Sequence, residues 1–395
     1  MGTMTKARAY RGPALFSYGF RPFFLFGAIY AGVMIPLWLA VFAGEISLPT
    51  AFAPLDWHVH EMLFGYVGAV IAGFLLTAVP NWTGRLPIQG PRLAALFSTW
   101  LAGRIAASFS GTIGWGAAMA VDSLFLLLLA AAAAREIVAG RKWGNLKVVG
   151  VVILLATANV AFHLEAHLSG TATYAARAGI ALVVTLIGII GGRIVPSFTR
   201  NWLARQGKGR MPIPFNRFDI AAMTMGIAAL VAWVVVPSGR IVAGMLGAAG
   251  ALHLVRLARW AGDRTLRDRL VLILHIAYAF IPAGFFLTAL SALDLIAPGA
   301  GVHAWTGGAI GTMTLAVMTR ASLGHTGRAL LASVATQGIY AAVVVAALAR
   351  VCAALEPAHA QILLSVAGVA WSAAFLGFAA IYGPLLFCAR KGRMP

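Results

Sequence analysis

Five histidines of this chain stand where they could hold a metal ion or a flat metal complex. His60 and His303 open two stretches that repeat each other 243 positions apart. His163 and His167 are four positions apart, and His58 lies two positions before His60. Imidazole nitrogen is a common ligand of copper, zinc and iron. These positions therefore point to metal chemistry.

The two repeated stretches match without a gap from the histidine to a closing Thr-Gly-Arg. The arginines, Arg85 and Arg328, each lie 25 positions after the histidine, and seven positions are identical. A helix of that length covers about 37 Å, the thickness of a bilayer with part of its headgroups. Glycines early in each repeat admit either a flat macrocycle or a neighbouring helix. We predict that His60 and His303 lie at one depth and bind a haem between them.

His163 and His167 suit a single ion better than a haem. Residues four apart on a helix share a face, whereas the two axial ligands of a haem approach from opposite sides of the ring. We predict that His163 and His167 bind a single copper or zinc ion, and that His58 completes this site or lies at the membrane interface. The alternative is a pair of interfacial histidines bonded to backbone or water.

Two acidic residues accompany these histidines. Glu61 directly follows His60, and we expect it to pair with Arg177, to relay protons or to orient a histidine through a hydrogen bond. Asp122 lies inside an apolar segment, where we expect a packing hydrogen bond. The sequence contains no phosphate-binding loop, no zinc-protease motif and no serine-hydrolase motif.

The elements that carry these residues are predicted to be membrane helices. The 395 residues are 61% hydrophobic and 10% charged, whereas soluble domains carry about 25% charged residues. We predict an all-α polytopic membrane protein with twelve segments of spanning length. They fall at about 20–43, 57–80, 92–110, 112–134, 147–168, 173–196, 217–236, 239–260, 268–290, 301–320, 328–351 and 359–388.

The basic residues give these segments an orientation. If the N-terminus is cytoplasmic, all but four of the 30 lysines and arginines fall on the cytoplasmic side, as the positive-inside rule requires. The exceptions are Arg104, Arg177, Arg240 and Arg350. We predict that both termini are cytoplasmic and that the five histidines lie at the outer side. The net charge of +19 then reflects topology and contact with the lipid bilayer, and nucleic acid is not an expected partner.

A weaker third copy of the repeat lies in the sixth segment. Pro196 and Thr199 fall on the positions of Pro80 and Thr83, but Ala176 takes the place of the histidine. We predict one transmembrane domain over 1–395, built from three pseudo-symmetric four-helix units at about 20–134, 147–260 and 268–388. The missing histidine favours one haem between two helices over a threefold metal ring.

Motifs spread along the whole chain resemble those of the NnrS family, haem- and copper-containing membrane proteins of the bacterial nitric-oxide response. The resemblance implies an inner-membrane protein with haem and copper that lessens nitrosative stress. The motifs are Phe20-Arg-Pro-Phe-Phe24, Trp57-His-x-His-Glu-Met62, Phe74-Leu-x-Thr-Ala-x-Pro-Asn-Trp-Thr-Gly-Arg85, Gly192-Arg193-x-x-Pro196-x-Phe198-Thr199-Arg200-Asn201 and Met318-Thr-Arg-Ala-Ser-Leu-Gly-His-Thr-Gly-Arg328.

The predicted architecture also resembles the core subunit of the haem–copper oxidases, whose twelve helices form three arcs. Those enzymes carry copper-binding histidines on the sixth and seventh helices. The corresponding segments here, 173–196 and 217–236, contain no histidine. An oxidase-type binuclear centre is therefore not expected.

Three functions remain open at this point. The first is a metalloprotein that binds or detoxifies nitric oxide, with redox turnover at the haem and an unidentified electron donor, which would make it an oxidoreductase. The second is a haem- or copper-binding sensor or metal-handling protein without turnover. The third is a transporter, which is less favoured because transporter sites usually lie near the midplane of the membrane.

Overall fold

The computed structural model describes residues 10–389, and these residues form helices and connectors without a β-strand. Every predicted segment coincides with a helix. The helices are α1 (Phe20–Phe42), α2 (Pro54–Thr83), α3 (Pro91–Ser108), α4 (Trp115–Ala139), α5 (Leu146–Ser169), α6 (Thr173–Leu203), α7 (Arg217–Val235), α8 (Arg240–Ala258), α9 (Arg269–Ser291), α10 (299–325), α11 (Val334–Leu355) and α12 (Ala360–Phe387).

Ten helices in residues 10–389 are long and apolar enough to cross a membrane, which confirms the all-α polytopic class. The other two, α3 and α10, contain more polar residues, so the count of twelve spanning helices stays a prediction. The cytoplasmic placement of the termini also stays a prediction. Part of its support, the basic residues of 1–9 and 390–395, lies outside the described residues.

Some helix ends differ from the expected ones because proline does not stop these helices. α6 was expected to end at 196, but it continues through Pro196 to Leu203. α2 likewise continues through Pro80 to Thr83. The next residue, Gly84, caps the helix with a φ of +70°, the left-handed conformation that favours glycine. Membrane helices tolerate proline because neighbouring groups satisfy the backbone acceptors that it leaves free.

The described helices divide into two compact units. Unit 1 comprises 10–179, 321–328 and 376–389, and unit 2 comprises 180–320 and 329–375. In unit 1, α2 is the most enclosed helix, with 83% of its most apolar stretch buried. Pro54 begins this helix and Asp56 lies in its first turn, where an acidic side chain stabilises the helix by its attraction to the positive end of the dipole. The threefold repeat and the single-domain assignment stay predictions.

Each copy of the repeated helix contains a π-helical stretch at the same place. In α2 it covers Glu61–Tyr66 and follows His60 directly. In α10 it covers Ala304–Gly311 and follows His303 directly. π turns are rare overall, but those that occur lie frequently at functional sites. Their place before a π turn therefore makes both histidines candidates for a functional role.

Candidate metal centre

Unit 1 contains a cluster of charged and polar side chains in the interior of its helices. No member exposes more than 4% of its surface. Ionisable residues inside membrane helices are costly unless they pair with each other or serve a function. The members come from four successive helices, α2 to α5. They are His60, Glu61, Arg104, Asp122, Asn159 and His163.

His60 is oriented by the residue that follows it. Its Nδ1 lies 2.8 Å from Oε1 of Glu61, the first residue of the π turn. Its Nε2, on the other side of the ring, lies 2.9 Å from Oδ1 of Asn159 and 3.1 Å from Oδ2 of Asp122. A carboxylate on one ring nitrogen typically fixes a histidine whose other nitrogen binds a metal. Glu61 therefore aims Nε2 of His60 at Asp122.

Asp122 is the hub of the cluster. Its Oδ2 lies 3.1 Å from Nε2 of His60 and 3.2 Å from Nε2 of His163, and it accepts a hydrogen bond of 2.7 Å from Nδ2 of Asn159. The ligand atoms of His60, Asp122 and His163 all lie within 4.8 Å of one another. The carboxylate thus joins two histidines that the sequence assigned to different centres.

Arg104 holds the two carboxylates of the cluster. Its Nη1 donates to Oε1 of Glu61 at 2.7 Å, and its Nη2 donates to Oδ1 of Asp122. Two glycines make room for this arrangement. A Cβ on Gly65 would lie 2.6 Å from Nη1 of Arg104, and one on Gly103 would lie 2.9 Å from Oδ1 of Asp122. Small residues let membrane helices approach closely, and here they admit a guanidinium.

Aromatic rings enclose the two histidines. The ring of Phe52, in the connector between α1 and α2, lies 4.9 Å from that of His60 and 5.0 Å from that of His163. Phe64 and Phe162 each lie 5.3 Å from the ring of His60. The surroundings are therefore apolar, and the charges of the cluster interact strongly with each other.

The charge balance of the cluster depends on the protonation of His60. Glu61 and Asp122 carry two negative charges, and Arg104 carries one positive charge. The hydroxyl of Tyr30 donates to Oε2 of Glu61 and adds no charge. With neutral histidines, one negative charge is left over. Both ring nitrogens of His60 face acceptor oxygens, so in the metal-free cluster a second proton makes His60 an imidazolium and balances this charge. A cation bound at Nε2 would replace that proton.

The other two histidines predicted to bind copper lie outside this cluster. The ring of His58 stacks on Trp38 at 4.6 Å and 14°. The ring of His167 stacks on Trp115 at 4.0 Å and 16°. The structure thus groups His163 with His60 and Asp122, and not with His58 and His167. Copper binding by His58 and His167 stays a prediction.

His303 lies in unit 2 and has different surroundings from His60. It is half-buried, and its Nδ1 lies 3.4 Å from the hydroxyl of Thr306 on its own helix. His60 is fully buried among charged partners. The two histidines share a place before a π turn, and their joint ligation of a haem stays a prediction.

Sequence reasoning gave Asp122, Arg104 and Asn159 no role in the site. A signal was present, because Arg104 and Asp122 are charges inside apolar segments, where they are expected to pair. The cation bonded to Glu61 is Arg104. Arg177, its expected partner, lies over the ring of Tyr174 at 4.8 Å. The expectation that Glu61 orients a histidine agrees with the contact to His60.

Unit 2 contains a second buried polar cluster. Nε of Arg256 on α8 donates to Oδ1 of Asp219 on α7 at 3.0 Å. Its Nη1 donates to the hydroxyl of Tyr278 at 2.8 Å, and that hydroxyl lies 2.9 Å from Nδ1 of His253. A Cβ on Gly192 would overlap the guanidinium. The other oxygen of Asp219 lies 3.7 Å from Nη2 of Arg259, so this aspartate meets two arginines and no negative charge is left over.

Helical fold and buried cluster together define a multi-pass membrane protein whose interior contains side chains that could hold a metal ion. A family model described as NnrS protein matches residues 14–390, nearly the whole chain, and the chain belongs to the NnrS family. This confirms the resemblance seen in the sequence motifs. Neither the curated proteins nor the solved structures contain a match to the chain.

Proposed function

We propose that unit 1 carries a metal centre whose ligands are Nε2 of His60, Nε2 of His163 and Oδ2 of Asp122. The observation that carries this proposal is the convergence of these three atoms within 4.8 Å in the interior of a membrane protein. Neighbouring ligand atoms of a tetrahedral first-row metal site are about 3.3 Å apart, given bonds of about 2.0–2.1 Å. The two distances from Asp122 to the histidines, 3.1 and 3.2 Å, fit that spacing.

The surroundings of the three ligands support a cation. Arg104 binds the other oxygen of Asp122 and leaves Oδ2 directed at the histidines. Glu61 fixes the ring of His60. Once His60 gives up its proton to act as a ligand, the cluster carries one surplus negative charge, which is costly in a low-dielectric interior and which a bound cation offsets.

Copper is the metal that we assign to this centre. Imidazole suits copper, and membership of the NnrS family fits a protein of the nitric-oxide response. A copper ion held there would supply one-electron exchange and a position at which nitric oxide coordinates. The protein then acts in the inner membrane, where it binds or detoxifies nitric oxide and protects against nitrosative stress.

The haem remains a separate part of the proposal. Nε2 of His60 is the atom that either a haem iron or the copper ion would use, and it faces Asp122 and Asn159. The contacts of His60 therefore favour a single metal ion over a haem iron as the group that this residue binds. His303 keeps its predicted role as a haem ligand, and its partner on the other face of the ring is open.

Metal analysis of the full chain in detergent tests the copper centre. We expect one copper ion per chain, and a Cu(II) electron paramagnetic resonance signal with couplings from two nitrogen nuclei. His163→Gln should leave one nitrogen coupling, and His60→Ala with Asp122→Asn should abolish binding. The control is His359→Ala, an exposed histidine beside Glu356, which should change nothing. Binding that survives His60→Ala and Asp122→Asn but is lost in His58→Ala or His167→Ala would contradict the proposed ligands.

Visible spectra and gas measurements test the rest of the function. Haem bands that vanish in His303→Ala would support the haem ligand, and bands that survive both His60→Ala and His303→Ala would exclude the predicted pair. Consumption of nitric oxide with a reductant would indicate an enzyme. Binding without consumption would indicate the alternative, a haem- or copper-binding sensor or metal-handling protein. Survival of a strain lacking the gene, complemented with each variant under a nitric-oxide donor, tests the biological role.

A further inference from the structure

α5 carries a stripe of polar side chains that leads from the cluster to the end of the helix. Asn159, His163 and His167 follow each other at intervals of four, so they share one face with a rise of about 6 Å per step. Exposure increases along the stripe: Asn159 and His163 are buried, and His167 is exposed. A polar stripe inside a membrane helix is typical of a substrate or ion pathway.

The facing surface of α4 completes a seam with this stripe. Trp115, which stacks on His167, and Asp122, which contacts His163, are seven positions apart and share one face of α4. Between them lies Ala118, whose side chain is a single buried methyl group. The seam therefore has a histidine with an aromatic partner at its exposed end and the proposed ligands at its buried end.

Phe52 covers the buried end of the seam. Its ring contacts those of His60 and His163, and 8% of the residue is exposed. The connector that carries Phe52 is fixed by hydrogen bonds from the backbone of Ala51 and the side chain of Thr50 to α3 and the short turn after it. The side chain of Phe52 alone thus covers the buried end, and hydrogen bonds hold the connector that carries it in place.

We propose that the metal ion reaches the centre along this seam, with His167 as its first ligand and Phe52 as the cover over the final position. The inference rests on the proposed copper centre. The step is a ligand exchange, in which the bond to His167 breaks as the bond to His163 forms and the oxidation state is unchanged. The π face of Trp115 adds an attraction for the cation at His167. The ion enters from the membrane face that carries the end of α5, which the charge pattern predicts to be the outer face.

His58 is the alternative candidate for the first ligand, because it also stacks on a tryptophan. It lies two positions before His60, about 200° around the helix, so it does not continue into the cluster. His58→Ala is therefore a matched comparison for His167→Ala. Both variants remove a histidine from a histidine–tryptophan stack, and only one of them lies on the polar stripe.

The test measures rates as well as content. The full chain is reconstituted in vesicles, loaded with Cu(I) under a reductant, and mixed with an excess of a sulfonated, membrane-impermeant Cu(I) chelator. The release rate is followed by the absorbance of the chelator complex, and the loading rate by the reverse experiment. We expect His167→Ala to slow both rates about tenfold, equivalent to about 1.4 kcal/mol in the barrier, with the final copper content unchanged. Phe52→Leu should speed both rates, and His58→Ala should leave them at the parent value.

Each outcome separates the route from the centre. A parent protein that binds no copper overturns the centre and the route together. Normal copper content with unchanged rates in His167→Ala overturns the route alone, and so does slowing by His58→Ala in its place. Loss of copper content in His167→Ala would make this residue a permanent ligand and would also overturn the route.

Discussion

The buried clusters of units 1 and 2 are built from the same kinds of side chain and differ in charge. Each has an arginine bonded to an aspartate, a tyrosine hydroxyl, a histidine and a glycine without space for a Cβ. Arg104 and Asp122 form the pair in unit 1, and Arg256 and Asp219 form it in unit 2. The second carboxylate in unit 1, Glu61, has no counterpart among the contacts of Arg256.

This difference separates a binding site from a structural cross-link. In unit 2 Asp219 meets Arg256 at one oxygen and Arg259 at the other. Tyr278 satisfies Nδ1 of His253, so the cluster has no need of a further cation. In unit 1 the two carboxylates exceed Arg104 by one charge, which either a proton on His60 or a bound cation balances. Buried ion pairs contribute little net stability, but a buried surplus charge requires a partner. This replaceable positive charge, and not the mere presence of buried charges, supports the metal centre.

The two aspartates should give opposite results when each is neutralised. Asp122→Asn leaves Arg104 paired with Glu61, and His60 then needs no second proton, so we expect a small loss of stability. We expect a loss of copper affinity above about 100-fold, because even outer partners of metal ligands matter by about 10–100-fold. Asp219→Asn leaves Arg256 without its carboxylate and should cost about 3–5 kcal/mol with copper content unchanged. Copper analysis and thermal unfolding in detergent measure both. Equal copper loss in the two variants would remove the distinction between the clusters.

The two arginines should differ in their response to added metal. Arg104→Gln leaves the two carboxylates with only the proton of His60 to balance them, which should destabilise the metal-free protein by about 3 kcal/mol. Bound copper should restore much of that loss, because it supplies the missing positive charge. Arg256→Gln should be destabilised to a similar degree without recovery. The measurement is the unfolding temperature with copper and with a chelator, and equal recovery in both variants would contradict the charge argument.

The helical architecture could be predicted because it depends on local properties of the chain. Hydrophobic length alone located all twelve helices, and repeated residues located His60 and His303 at matching places in two of them. The wide turns after these histidines could not be predicted, since no residue in Glu61–Tyr66 or Ala304–Gly311 is diagnostic of a π turn. The expected end of α6 at Pro196 was wrong, because membrane helices accommodate proline.

The candidate site could be predicted only in part because it depends on which helices are neighbours. Spacing correctly places His163 and His167 on one face of α5, but it cannot tell that the facing helix presents Asp122 to one and Trp115 to the other. Their pairing into one copper site was therefore the simplest local interpretation. The unused signal was Arg104, a charge in an apolar segment that must find its partners within the protein.

Adding one methyl group beneath each guanidinium tests the close contacts of both clusters. Gly65→Ala should displace Arg104, and Gly192→Ala should displace Arg256, each at a cost of about 1–3 kcal/mol. Only Gly65→Ala should also weaken copper binding, because Arg104 positions Asp122. Gly68→Ala is the control, since a Cβ there would meet neighbours at ordinary distances of 3.6 and 3.7 Å. Thermal unfolding and copper titration report the two effects, and tolerance of Gly65→Ala would mean that the guanidinium is not confined as described.

Removing the two tyrosine hydroxyls should give the smallest effects and still distinguish the clusters. Tyr30→Phe removes one donor from Glu61, which keeps His60 and Arg104 as partners, so we expect a loss of about 1 kcal/mol and full copper content. Tyr278→Phe leaves Nδ1 of the buried His253 without its partner, whereas Nη1 of Arg256 keeps the carbonyl of Gly188, and we expect a cost of about 2 kcal/mol. Thermal unfolding of both variants in parallel compares their losses of stability. A larger loss in Tyr30→Phe than in Tyr278→Phe would indicate that the hydroxyl of Tyr30, and not the metal, completes the unit 1 cluster.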